Sequence, residues 1–252
     1  MTDRALATTL GDPEGVLASK ILEFLPSVLG RFEVVAVLAT TATYPGILSL
    51  LQEARIFLST AEPDIDQIGR HRREALRMAL AHSNIPRIVH MDFDHLLRWI
   101  ENNPSELDRI LEATAEYDCA VIGRGPKSLA ALPERLASTE AMVNHIFRLT
   151  TGRSWDVMMA ARSFSRLAAQ AVVEGSTVDT IGNDVAWPLL CKAQGLSVGY
   201  TEAEGMTYRT NVDYASNLED ARDGDPRAWA QRVLLAAQHV EAMVPYMEER
   251  RG

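Results

Sequence analysis

The chain has 252 residues, with 25 Lys+Arg against 34 Asp+Glu and a formal net charge of −9. Hydrophobic residues at 47% and charged residues at 23% exclude a disordered or collagen-like chain and fit a globular protein. The acidic excess argues against a general nucleic-acid surface, which needs a basic one. No run of about 18 apolar residues is present, so no membrane-spanning helix is expected. Cys119 and Cys191 alone cannot build a disulfide framework or a multi-cysteine metal site. The start, Met1-Thr2-Asp3-Arg4, leads into a short polar stretch and lacks the basic head and apolar body of a secretory signal. A reducing, cytoplasmic setting is the expectation.

In chain order, β-branched residues 34–39 predict a buried strand. Residues 46–54 have helical spacing, and 55–59 predict a second strand. A helix over 69–81 places Ala75, Leu76, Ala79 and Leu80 inside. Residues 87–91 predict a third strand, 104–115 a helix and 118–122 a fourth strand. This alternation argues for an α/β domain with a largely parallel sheet. Further helices are predicted over 138–149, 163–173, 183–194 and 226–249, with a strand over 196–201 and a loop over 217–226. Pro188 and Pro245 limit or kink their helices.

Asp92-Phe93-Asp94 follows the third strand directly. Ligands of open parallel sheets collect at the carboxyl ends of strands. With strand alternation, Asp92 and Asp94 face one direction. Two hard oxygen donors suit Mg²⁺ or Mn²⁺, which fill their other positions with water and phosphate oxygens. Asp64-Ile65-Asp66 is a second such triplet, but it follows Pro63 in a polar loop and reads first as a turn or helix start.

Arg70, Arg72 and Arg73 crowd one helix start. Their plain reading is a solvated face. Their functional reading is diphosphate contact, because like charges at the positive end of a helix call for an anion and Arg offers forked donors. Arg124 lies just past the fourth strand between Gly123 and Gly125, which permit close backbone approach. Its alternative is an exposed loop charge. His90 and His95 read as structural, and Trp99 and Trp187 as core.

This layout resembles the nucleotide-diphospho-sugar transferases, the glycosyltransferases of the GT-A fold. The resemblance runs over about 32–210 and rests on several segments in order. Thr40-Thr41-Ala42-Thr43 stands where that family receives the nucleotide. Gly69 to Ala75 resembles the loop-to-helix segment before the metal motif. Met91-Asp92-Phe93-Asp94 resembles the Asp-x-Asp metal site. Ala160 to Arg166 resembles the small-residue turn near the sugar. Gly182-Asn183-Asp184 resembles the acidic position opening the acceptor-side helix, where inverting members carry the general base. As a plain alternative, Asp184 is a first-turn acid. Three departures stand out: Asp184 is preceded by Asn183 rather than another carboxylate, Ser59-Thr60-Ala61-Glu62 replaces the usual early aspartate, and no histidine lies between His145 and His239.

The resemblance implies a GT-A-like α/β fold: an open, mostly parallel sheet flanked by helices, with a helical C-terminal segment. One composite domain over 1–252 would divide into a nucleotide and metal half at 32–125, an acceptor-side half at 126–215 and a closing helix at 226–250. The implied activity moves a sugar from a nucleoside-diphosphate donor to an unknown acceptor hydroxyl. Asp92 and Asp94 would hold Mg²⁺ or Mn²⁺; Thr40, Arg70, Arg72, Arg73, Asp92 and Arg124 would contact the nucleotide-sugar; Asp184 would be catalytic. No nucleic acid and no membrane span are expected, and a homodimer is the candidate assembly. The competing readings are a nucleotidyltransferase or phosphatase using the same Asp-x-Asp, and a non-catalytic nucleotide-sugar-binding protein of the same fold.

Overall fold

The structure is a computed structural model and describes residues 3–54, 56–82, 84–207 and 222–247. Among the described residues, seven strands form one sheet: β1 Arg4–Leu10, β2 Val34–Thr40, β3 Phe57–Ala61, β4 Arg87–His90, β5 Cys119–Arg124, β6 Arg162–Ser165 and β7 Val198–Ala203. Their spatial order is β3-β2-β1-β4-β6-β5-β7. All pairings are parallel except those of β6, which runs antiparallel to β4 and β5. This is the open, mostly parallel α/β sheet expected from the sequence.

The helices are α1 Ala18–Arg31, α2 Pro45–Glu53, α3 Ile68–His82, α4 Phe93–Asn102, α5 Pro104–Ala113, α6 Pro126–Ala130, α7 Glu134–Thr151, α8 Arg166–Gly175, α9 Asn183–Ala193 and α10 Pro226–Met247. None is long and apolar enough to cross a membrane among the described residues. One core layer joins Leu6, Leu10, Val35, Val37 and Val89 to Ile21, Leu25, Leu96 and Leu107 of α1, α4 and α5. The opposite sheet face, with Ala5, Ala7, Leu38 and Ile88, packs on Ala75, Leu76, Ala168 and Trp187 of α3, α8 and α9. A third cluster binds α7, α9 and α10 through Val143, Phe147, Leu189 and Met243.

Four features differ from the sequence expectation. The polar-looking start is the central strand β1. Its Ala residues have weak strand propensity, but burial on both faces overrides it, and Ala5 and Ala7 let α3 pack closely. Helix α1 runs through Pro26, which lies on the exposed side where water can satisfy the carbonyl it deprives. The helix expected over 163–173 begins only at Arg166, because Arg162–Ser165 is β6. Ser165 ends the strand and caps α8 by accepting from the Ala168 N–H at 3.1 Å. Finally, α4 starts at Phe93, so Asp92 and Asp94 do not alternate along a strand. Asp92 is the residue that opens the helix, and Asp94 sits in its first turn. Of the loop expected over 217–226, residues 217–221 lie outside the described residues and Arg222–Gly224 form a short 3-10 turn, while the helix expected over 226–249 is described to Met247.

Candidate active site

The carboxyl ends of β1, β2 and β4 open on a cavity of about 350 Å³. Thr9, Thr40, Asp64, Arg72, Asp92 and Asp94 are among its walls. A second cavity of about 210 Å³ lies beyond, walled by His95, Arg98, Arg124, Glu140, Asp184 and Met206 among others. Arg72 and Asp92 line both, so their ion pair forms the partition.

Chain geometry places this pair. Gly69 lets α3 approach the segment ahead of α9: a Cβ there would stand 2.3 Å from the Thr180 carbonyl oxygen. One turn on, Arg72 enters the site. It donates Nη2 to Asp92 Oδ2 at 2.6 Å and Nε to Oδ1 at 3.2 Å. Its Nη1 reaches Asp184 Oδ1 at 3.0 Å and Asn183 Oδ1 at 3.1 Å. Thr9 Oγ1 donates to Asp92 Oδ1 at 2.7 Å. Burial works against each of these charges, yet their pairing prevails: Arg72 is raised above its ordinary range by Asp184 and Asp92, and both carboxyls are held below theirs by Arg72.

Asp184 is buried in the first turn of α9. The His239 ring on α10 places Nε2 3.4 Å from Asp184 Oδ2 and Nδ1 2.8 Å from the Leu235 carbonyl. Buried Arg162 donates to four backbone carbonyls, including that of Asp184 at 2.7 Å. A carboxylate so paired is a weak proton acceptor and a firm positioning group.

The remaining candidates fall as follows. Thr40 lines the first cavity. Arg70 lines an adjoining cavity of about 570 Å³ beside Ser59, Glu62 and Asp64. Arg73 turns away to the Val178 carbonyl and Asp179, clamping α3 to the segment before α9, and lines none of these three cavities. Arg124 is not a loop charge. It is the last residue of β5, buried, with Asp156 at 2.8 Å and Glu140 at 2.5 Å, and it faces the second cavity. Its flanking glycines admit protein groups: a Cβ at Gly123 would meet Tyr200 Oη, and one at Gly125 the Glu204 carboxylate, each at 2.5 Å. Asp64 caps a short turn through the Asp66 N–H while lining the first cavity. His90 donates Nδ1–H to the Ala7 carbonyl and packs on Trp187. Burial, then nearby Arg72, pushes its pKa down to about 4. Trp99 and Trp187 are core residues, with their indole N–H groups on Glu106 and Ser176.

Sequence reasoning gave no site role to Thr9, Asn183, Arg162 or His239, although Asn183 and Arg162 stand in segments that carry the resemblance. Asn183 beside Asp184 was the one local signal, since two polar residues open an otherwise apolar helix. The others come to the site from distant parts of the chain.

The donor set at Asp92 and Asp94 fits a small hard cation. Both carboxylates line the first cavity, and Asp92 Oδ2 accepts one hydrogen bond, leaving lone-pair capacity. No group of three or more His, Cys, Asp or Glu able to hold a metal occurs among the described residues. A cation here therefore needs water and ligand oxygens for its remaining positions, as Mg²⁺ commonly does.

No protein-family profile and no curated protein matches the chain. Solved structures do. Glucosyl-3-phosphoglycerate synthase from Mycobacterium tuberculosis aligns over 97% of this chain and 80% of its own, with TM-score 0.57 and 12% identity. The same enzyme with Mn²⁺, uridine-diphosphate-glucose and phosphoglyceric acid gives TM-score 0.58 at 13% identity, covering 97% and 79%. A mycobacterial protein gives 0.51 at 15%, covering 97% and 74%. At these identities the likeness is one of fold, and the fold is the GT-A type.

Proposed function

We propose that this protein is a glycosyltransferase that moves a sugar from a nucleoside-diphosphate donor to an acceptor hydroxyl with the help of Mg²⁺ or Mn²⁺. The observation that carries the reading is the partition: two cavities at the carboxyl edge of the sheet meet at Arg72 and Asp92. A transfer between two bound molecules needs two adjoining compartments with the reacting atoms at their junction. The fold likeness supports it, since the mycobacterial synthase has been crystallised with Mn²⁺ and uridine-diphosphate-glucose.

On this reading the first cavity takes the nucleotide. Thr40 and Arg70 stand along its floor and extension, and Asp92 and Asp94 hold the cation. When bound, that ion offsets negative charge growing on the departing diphosphate. Arg72 stands at the phosphates with forked donors. The second cavity takes the acceptor, which Asp184 and Arg124 help to orient. Arg73 contributes by fixing α3.

Calorimetric titration of nucleoside diphosphates with and without Mn²⁺ tests the reading. Binding of at least one of them is expected, with a loss of about ten-fold or more in Asp92→Ala. Absence of nucleotide binding in every combination would overturn it.

A further inference from the structure

The carboxylate assigned to the cation is already held by an arginine. Arg72 grips both oxygens of Asp92, at 3.2 and 2.6 Å, in the two-pronged arrangement that holds a carboxylate most firmly. Its third nitrogen is tied to Asp184 and Asn183. The two ends of this bridge differ. Asp184 is 3% exposed, and α10 supports it through His239. The Asp92 side chain is 21% exposed and stands at the cavity edge. The Asp184 end is therefore the fixed end, and the Asp92 end is the one a ligand reaches.

A divalent cation on Asp92 repels a guanidinium in direct contact with the same carboxylate. A diphosphate oxygen pair offers the guanidinium the forked acceptor it would lose. We infer that Arg72 is an exchangeable occupant of Asp92. It neutralises that carboxylate until cation and diphosphate arrive together. Asp92 then passes to the cation, Nε and Nη2 of Arg72 pass to phosphoryl oxygens, and Nη1 stays on Asp184. No covalent bond changes; three ionic partners are traded. The inference rests on the proposed cation site at Asp92. It explains how an acidic protein keeps Asp92 ready for metal without leaving that carboxylate unpaired. It also requires the cation alone to bind weakly, because it must displace Arg72.

The test uses Mn²⁺ alone, without nucleotide, on the full chain, with free Mn²⁺ read from its electron paramagnetic resonance amplitude. Arg72→Met is expected to bind Mn²⁺ about ten-fold more tightly than the parent. The gain is expected to vanish when Asp92→Asn is added. No gain overturns the inference, and so does an equal gain in the double variant, which would mark a general charge effect. Should Arg72→Met fail to fold, Arg72→Lys is measured instead. Its ammonium keeps the charge but cannot fork to both acids, and a gain of about three-fold is expected; no gain again overturns the inference. Nucleotide binding separates the two readings. A parent that binds no nucleoside diphosphate sinks the transferase reading, whereas intact nucleotide binding without the Mn²⁺ gain sinks the exchange alone.

Discussion

Asp92 and Asp184 share one guanidinium: Arg72 reaches the first at 2.6 Å and the second at 3.0 Å. One side chain thereby ties the start of α4 to the start of α9 from its place on α3. Breaking a buried pair by removing one partner is costlier than the pair's net worth, because the other charge stays behind. Asp184→Ala is expected to lower stability by about 3–5 kcal/mol, read from urea unfolding. Asp184→Asn, which keeps an acceptor, is expected to lose less. Equal losses would show that the ion pair is not what holds these helices.

His239 tests the C-terminal helix in the same way. Both ring nitrogens face acceptors, Leu235 O and Asp184 Oδ2, inside a fully buried site. His239→Phe keeps the bulk and removes both bonds, at an expected cost of about 1–3 kcal/mol. His239→Gln restores one donor and is expected to recover part of it. A Phe variant as stable as the parent would make the His239–Asp184 contact incidental.

His90 sets a pH dependence. Its folded pKa of about 4 lies below the unfolded value of about 6.5. The unfolded chain therefore takes up a proton that the folded one refuses. The stabilisation is complete above about pH 6.5 and falls as pH drops towards 4, by up to about 1.4 kcal/mol per pH unit. Urea midpoints of chelator-treated protein between pH 7 and 4.5 should fall less steeply in His90→Gln. Parallel curves for parent and variant would refute this.

Gly69 and Gly30 make a contrasting pair. A methyl group at Gly69 would press on the carbonyls of Thr180 and Val178, at 2.3 and 2.9 Å, and these backbone atoms cannot step aside. Gly69→Ala is expected to cost about 1–3 kcal/mol and to shift Arg72 with α3. Gly30, near the end of α1, has nothing within 4 Å of a built Cβ. Gly30→Ala should gain about 0.4–1 kcal/mol. Thermal midpoints moving in the same direction would contradict the packing account.

The sequence displayed what periodicity can display. Strand β2 and helices α3, α5 and α9 carry their apolar spacing openly, and the carboxylates after β4 lie at the candidate site. The hidden parts are those in which local preference and tertiary setting disagree. Strand β1 carries Ala5 and Ala7, poor strand formers, on the face that α3 covers closely. Strand β6 is four residues long, and its Arg162 is soluble in the interior only because backbone carbonyls surround it. Arg70, Arg72 and Arg73 looked equivalent in sequence. Helix geometry sends them to three destinations, which no spacing of like residues reveals. Thr9 and His239 meet the site from opposite ends of the chain and have no local mark.

The division of the walls between stretches of chain has a consequence for how such a protein can change. Among the described residues, those lining the first cavity all come from Thr9 to Asp94, whereas Leu136, Met158 and Met206 belong only to the second. On the proposed reading, substitutions in the second cavity can change what stands opposite the donor while the first cavity stays as it is. If that reading holds, a library confined to those three side chains is expected to change acceptor choice at constant nucleotide affinity, read from calorimetry. The shared Arg72–Asp92 boundary would remain the single point where the two histories must agree.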